Sequence, residues 1–261
     1  MTEPALPPAN DSGPIVEMNH VQLAFGHKTI LRDLNLTVAR RERLVIMGQS
    51  GGGKSTTLRL IMGILRPKTG IVKFKGQDVT RMNRPQLNKM RQRIGMVYQY
   101  SALISSLSVR NNLALPLEEL TDKSEKEIDE IVSEKLAMVG MEDTRDYMPA
   151  ELSGGMRKRI GLARSLVLDP ELILFDEPSA GLDPVVSSVI DELIISLTEK
   201  TNTTSIIVTH EMDSAFRIAT RMAMLYQGRI IEEDRPEVFR HSADPVVSQF
   251  VEGRTDGPIG T

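Results

Sequence analysis

Cysteine is absent from the 261 residues, which excludes a disulfide framework, a thiolate zinc site and a cysteine nucleophile. Long hydrophobic runs are absent too. Nothing approaches the ~18 uninterrupted apolar residues of a membrane span, and the most apolar stretches, 172–175 and 206–208, are strand-sized. Nor does one sign of charge dominate. With 32 Lys and Arg against 35 Asp and Glu, the formal net charge is −3, so no global basic field points to nucleic acid. The first fourteen residues hold four prolines and no apolar core of a signal peptide. Together with the missing cysteine, this favours a reducing, cytoplasmic setting. What remains, at 40% hydrophobic and 26% charged residues, suits a globular chain with a sizeable core.

Between an N-terminal segment (1–14) and a glycine-bearing end, both read as flexible or draped tails, strand and helix patterns alternate. Apolar, β-branched runs fall at 15–23, 43–47, 71–74, 94–97, 172–175, 205–209, 222–226 and 229–232. Three are continuous, as in strands buried on both faces of a parallel sheet. Caps mark the helices. Asn83 with Gln86 and Ser124 with Glu127 have capping-box spacing, and Asp183-Pro184 opens a helix through about Lys200. Residues from about 99 to 155 read as largely helical and interrupt the alternation, which makes one compound α/β domain with a helical insertion.

Residues 48–55, GQSGGGKS, match G-x-x-x-x-G-K-[ST] between a strand and an apolar-faced helix, the context this motif requires. Glycines let backbone amides turn inward around phosphate oxygens, and the helix N-terminus adds partial positive charge. Lys54 then reaches the β- and γ-phosphates, and the Ser55 hydroxyl reaches Mg²⁺. The buried-type strand LILF, followed by Asp176 and Glu177, fits a second acidic element. Asp176 holds the Mg²⁺ shell and Glu177 polarises the attacking water. Ser153, Gly154 and Gly155, within LSGGM at 152–156, head another helix whose free amides suit an anion. Two anion-binding helix starts in one chain suggest nucleotide held between two chains.

These elements, in this order, resemble the ABC-type ATPases, specifically the nucleotide-binding subunit of a transporter, over roughly residues 15–240. The resemblance implies a P-loop α/β fold: a mainly parallel sheet core with flanking helices, an N-terminal antiparallel β portion and an inserted helical subdomain at about 99–165. Residues 15–243 would form the ATPase domain and 244–261 a C-terminal tail at the dimer interface. By resemblance, Gly48, Ser50, Gly51, Gly52, Gly53, Lys54, Ser55 and Thr56 hold ATP in the Walker A place. Asp176 and Glu177 stand as Walker B with its catalytic glutamate, and Ser153, Gly154 and Gly155 as the signature. Gln99 sits like the Q-loop glutamine, which also reaches the metal. Asp183 closes the D-loop that begins at Ser179, His210 looks like the switch histidine, and Phe25 takes the place of the aromatic that stacks on adenine. Two copies would sandwich two ATP molecules and drive a separate transmembrane permease, through which alone the chain contacts the inner membrane from its cytoplasmic side. One position departs from the family pattern: Met156 stands where the signature has Gln, and a thioether cannot make an amide's hydrogen bonds.

The signature LSGGMRKR, the stretch QYSAL at 99–103 with LSVRNN at 107–112, and the tail QFVEGRTDGP at 249–258 are similar to the ATPases of the Mla (maintenance of lipid asymmetry) and Mce-associated systems, which include the chloroplast lipid importer. That likeness implies phospholipid or other hydrophobic cargo and an Mce-type lipid-binding subunit. A polar-solute importer or a lipoprotein-releasing ATPase would carry the same core motifs. A soluble ABC ATPase of DNA repair, chromosome structure or translation fits less well: there is no cysteine for zinc, no room for long coiled coils and only one cassette. The basic segment Arg81, Arg84, Lys89, Arg91 and Arg93 reads as a solvated helix face.

Overall fold

Residue-level alternation first builds the N-terminal sheet in the computed structural model, which describes residues 13–260. Strand β1 (Val16–Phe25) pairs antiparallel with β2 (Lys28–Val38) and with β4 (Thr69–Phe74), and β4 in turn with the short β5 (Gln77–Asp78). β2 is missing from the sequence expectation. Its buried residues Leu31, Leu34, Leu36 and Val38 break strict alternation, because the β1–β2 register shifts three times along the pair and each bulge resets which face a side chain meets.

The chain forms two compact units, one from residues up to Met90 together with Ile206 onward, the other from Arg91–Ser205. Besides the antiparallel sheet, the first unit contains β3 (Arg43–Met47), which pairs parallel with β9 (Arg221–Tyr226), itself antiparallel to β10 (Arg229–Asp234). Strand β3 and most of β9 are buried, as parallel strands covered on both faces must be. Helix α1 (Lys54–Ile61) follows β3 directly. Helix α2 (Arg84–Arg91) begins at the predicted box, with Asn83 and Gln86 exchanging backbone-to-side-chain bonds of 3.0 Å each. Helices α7 (Met212–Ile218), α8 (Pro236–Phe239) and α9 (Pro245–Glu252) complete this unit.

In the second unit β6 (Ile94–Val97) pairs parallel with β7 (Leu172–Asp176). Between them lie α3 (Val109–Leu120), α4 (Glu125–Met138) and α5 (Gly154–Leu166), and α6 (Pro184–Lys200) follows β7. The helices bury one another's apolar stripes, among them Leu113, Leu117, Val132, Leu136 and Ile160. Ser124 and Glu127 complete the predicted capping box on α4, and Asp183 accepts from the amides of Val185 and Val186 at the start of α6, 3.0 Å each. Strand β8 (Thr204–Val208), buried throughout, lies where the units divide. No helix among the described residues is long and apolar enough to cross a membrane.

Candidate nucleotide site

Strand β3 delivers the chain into a loop that only glycine can build. At Gly48 (φ 150°) a Cβ would lie 2.3 Å from the Leu225 carbonyl oxygen, and Gly53 (φ 106°) adopts a left-handed conformation at the very cap of α1. Gly53 offers no side chain, so no side-chain cap bond forms at the start of α1, and a helix N-terminus of this kind suits an anion through its amides and dipole. Lys54 is only 6% exposed, and its ammonium donates to the Gly48 and Gln49 carbonyls at 2.8 and 3.2 Å. The cation is thus held against the carbonyls of its own loop. Ser55 and Thr56 follow in the same turn.

The loop after β8 brings His210 to the same place. Thr209 donates its amide to the Ile46 carbonyl and accepts from the Glu211 amide at 3.0 Å, which ties this turn to β3. His210 then lines a cavity of about 860 Å³ together with Gly48, Gln49 and Ser50. The opposite wall comes from the C-terminal segment, including Gln249, Phe250, Arg254 and Ile259. That segment had the composition of a loose tail, yet it folds back: Gln249, buried, accepts from the Ile259 amide at 2.8 Å and donates to the Ile259 and Arg254 carbonyls. Phe25, 52% exposed at the end of β1, does not line this cavity.

The other sequence-predicted residues belong to the second unit. Gln99 follows β6 and opens a tight turn, with the Ser101 amide on the Tyr98 carbonyl. Ser153 caps α5 through the Met156 amide at 3.3 Å. Gly155 is needed for closeness, since a Cβ there would sit 2.8 Å from Val186, whereas one on Gly154 would make only ordinary contact with Leu182 at 3.5 Å. Asp176 ends β7, and Glu177 follows in a left-handed backbone conformation (φ 51°), a strained choice for a non-glycine residue of the sort found at functional sites. Ser179 donates to the fully buried Asp191 at 3.0 Å, anchoring the loop that ends at Asp183. Two residues escaped the sequence reading: Lys158 and Arg164, whose cations bind backbone carbonyls around Gln99 and Glu177. A basic pair in a helix carries no signal that separates a clamp from a solvated face.

The donor set fits a hard divalent ion. Ser55 in the first unit and Asp176 in the second each carry an oxygen of the kind such an ion takes, and no cluster of three His, Cys, Asp or Glu exists among the described residues. Mg²⁺ is commonly held by one or two protein oxygens, with phosphate and water completing its shell.

Comparison with known proteins bears on the whole chain. The ABC transporter family profile matches residues 31–180. The probable ribonucleotide transport ATP-binding protein mkl of Mycobacterium tuberculosis is 42% identical over 95% of this chain and 69% of its own length. The intermembrane phospholipid transport system ATP-binding protein MlaF of Haemophilus influenzae is 40% identical over 94% of this chain and 93% of its own. Among solved structures, the dimeric post-hydrolysis state of the ATP-binding cassette MJ0796 with ADP and Pi aligns at a TM-score of 0.77 and 30% identity, covering 85% of this chain and 98% of that one.

Proposed function

Since the chain belongs to the ABC transporter family and is one of its ATP-hydrolysing transport subunits, we propose that it energises the movement of phospholipid or similar hydrophobic cargo through a separate permease. The observation that carries the cargo is the match to MlaF, which runs nearly end to end in both chains. The match to mkl covers a smaller share of that protein, and the word ribonucleotide in its name keeps a polar cargo as the second reading.

In this reading two copies close around two ATP molecules, with Mg²⁺ shielding phosphate charge. The loop from Gly48 to Gly53, including Ser50, Gly51 and Gly52, cradles the phosphates with its amides. Lys54 would leave its two carbonyls for the β- and γ-oxygens, Ser55 and Asp176 would hold the metal, and Thr56 follows Ser55 on α1. From the facing copy, Ser153 and the amides of Gly154 and Gly155 close on the γ-phosphate. Gln99 senses that phosphate, Glu177 takes a proton from the attacking water, and His210 steadies the charge that develops as the bond breaks. Asp183 lies across the interface, and Phe25 offers its exposed ring to adenine. The lining of one cavity by His210 and Ser50 supports the pairing of sensor and phosphate loop. Tyr98, Tyr100 and Ile104, all exposed and Tyr100 at 86%, support a docking role for the segment after Gln99, where a permease on the membrane would be gripped. The assembly would sit peripherally on the cytoplasmic side, with an Mce-type subunit carrying lipid and with no nucleic acid.

The test is to purify the tagged chain from detergent-solubilised native membranes and identify its companions and bound lipids by mass spectrometry. A permease with a lipid-binding subunit and phospholipid is the expected result. A permease with a solute-binding protein and no lipid would overturn the cargo while leaving the ATPase. Recovery with DNA or ribosomes, and no membrane protein, would overturn the transporter assignment.

A further inference from the structure

Helix α5 presents three residues, 158, 161 and 164, on one face at helical spacing, and each meets the turn that begins at Gln99. Lys158, 7% exposed, donates from Nζ to the Gln99 carbonyl at 2.6 Å and to the Glu177 carbonyl at 3.3 Å. Gly161 lets the turn approach, since a Cβ there would lie 3.2 Å from the Ser101 Cβ. Arg164 forks over two further carbonyls of the turn, that of Ser101 at 3.0 Å and that of Ala102 at 2.8 Å. The turn needs holding. Ser101 (φ 60°) and Ala102 (φ 48°) are both left-handed, as is Glu177 (φ 51°), a conformation that strains a non-glycine residue.

A buried ammonium must find acceptors, and a hydrogen bond to a charged donor is stronger than a neutral one. Lys158 has spent two of its three donors on the backbones of the residues read here as the γ-phosphate sensor and the catalytic base. We infer that Lys158 is a positioning residue for hydrolysis: its ammonium sets the spacing of Gln99 and Glu177 through their carbonyl oxygens, with Arg164 locking the turn beyond. The helix whose N-terminus bears Ser153, Gly154 and Gly155 thereby reports its position to both groups, because α5 cannot shift along its axis without dragging these carbonyls. Lys158 holds the backbones of Gln99 and Glu177, so its contribution falls on turnover rather than on ATP affinity. The inference rests on the assignment of Gln99 and Glu177 above.

Steady-state phosphate release by the full chain with Mg²⁺-ATP tests it. Lys158→Met keeps length and burial without the ammonium. It is expected to lower kcat about tenfold with KM for ATP within about twofold, and Lys158→Arg, which can again reach two carbonyls, to restore at least half of the loss on a logarithmic scale. In a Gln99→Ala background the Lys158→Met effect should shrink to about threefold or less, the sign of a shared path. Arg164→Lys, which keeps the charge but not the fork, covers the case in which Lys158→Met does not fold. It should lower kcat several-fold, again with KM unchanged. A folded Lys158→Met or Arg164→Lys chain with wild-type kcat, or a Lys158→Met loss that multiplies in full with Gln99→Ala, would overturn the inference. A wild-type chain that releases no phosphate would overturn the ATPase reading beneath it, a different result from an active wild type matched by its variants.

Discussion

Ser205 carries a hydroxyl that is fully buried in β8 and has no hydrogen-bond partner in the structure. An orphaned buried hydroxyl costs roughly 1–3 kcal/mol of desolvation. Replacing it by Ala removes the hydroxyl at the expense of one small contact. Ser205→Ala is therefore expected to raise the thermal midpoint by roughly 2–4 °C, about 1 kcal/mol for a chain of this size, and calorimetry at one pH checks it; a lowered midpoint would mean that the hydroxyl is satisfied. At this scale the phosphate loop was readable from sequence, because glycine at Gly48 and Gly53 is dictated by backbone geometry that no other residue meets. Lys158 was not. Its role depends on which carbonyls the fold brings to it, and side-chain type and spacing carry no record of that.

Helix ends were legible for a related reason. Asn83, Ser124 and Asp183 satisfy amides within their own first turns, so local sequence contains the whole interaction. Strand β2 was not legible, because its bulged register is set by the partner β1. The helices of the second unit also depend on a distant junction: Asp129 on α4 accepts from Arg145 at 2.7 Å and from Arg110 of α3 at 2.6 Å. Arg145 first, then Arg110, hold its carboxyl below the ordinary value of 3.8. A depressed carboxylate stabilises the fold above its unfolded pKa, and that contribution disappears as pH falls below about 3.8 through the folded value. Asp129→Asn should lower the thermal midpoint at pH 7, and the gap between variant and wild type should narrow as the pH falls below about 3.8. A gap that stays constant with pH would mean that the carboxylate's charge is not what matters. Because Asp129 is partly exposed, added salt should narrow the difference as well.

At the scale of the whole molecule, the proposed residues are shared between two units, and in the proposed reading the second helix start, at Ser153, would complete a nucleotide site from a facing copy. Glu177→Gln should therefore bind Mg²⁺-ATP, stop turning over and accumulate as a dimer on size-exclusion chromatography, while remaining monomeric without nucleotide. Robust hydrolysis by that variant would remove Glu177 from the catalytic role. The order of motifs made the fold class and family readable, whereas the return of the C-terminal segment was not, since Gln249 looks like any surface glutamine until its contacts with Ile259 and Arg254 are seen. That return has an optical consequence. The chain contains no tryptophan, and Phe250 lines the cavity shared by Ser50 and His210. Phe250→Trp would install the chain's single tryptophan, which can be excited selectively over the four tyrosines, and its emission should shift on addition of Mg²⁺-ATP and recover as the nucleotide is consumed. An unchanged spectrum would separate the C-terminal segment from the nucleotide's arrival, while a shift would make the end of the chain a built-in gauge of site occupancy.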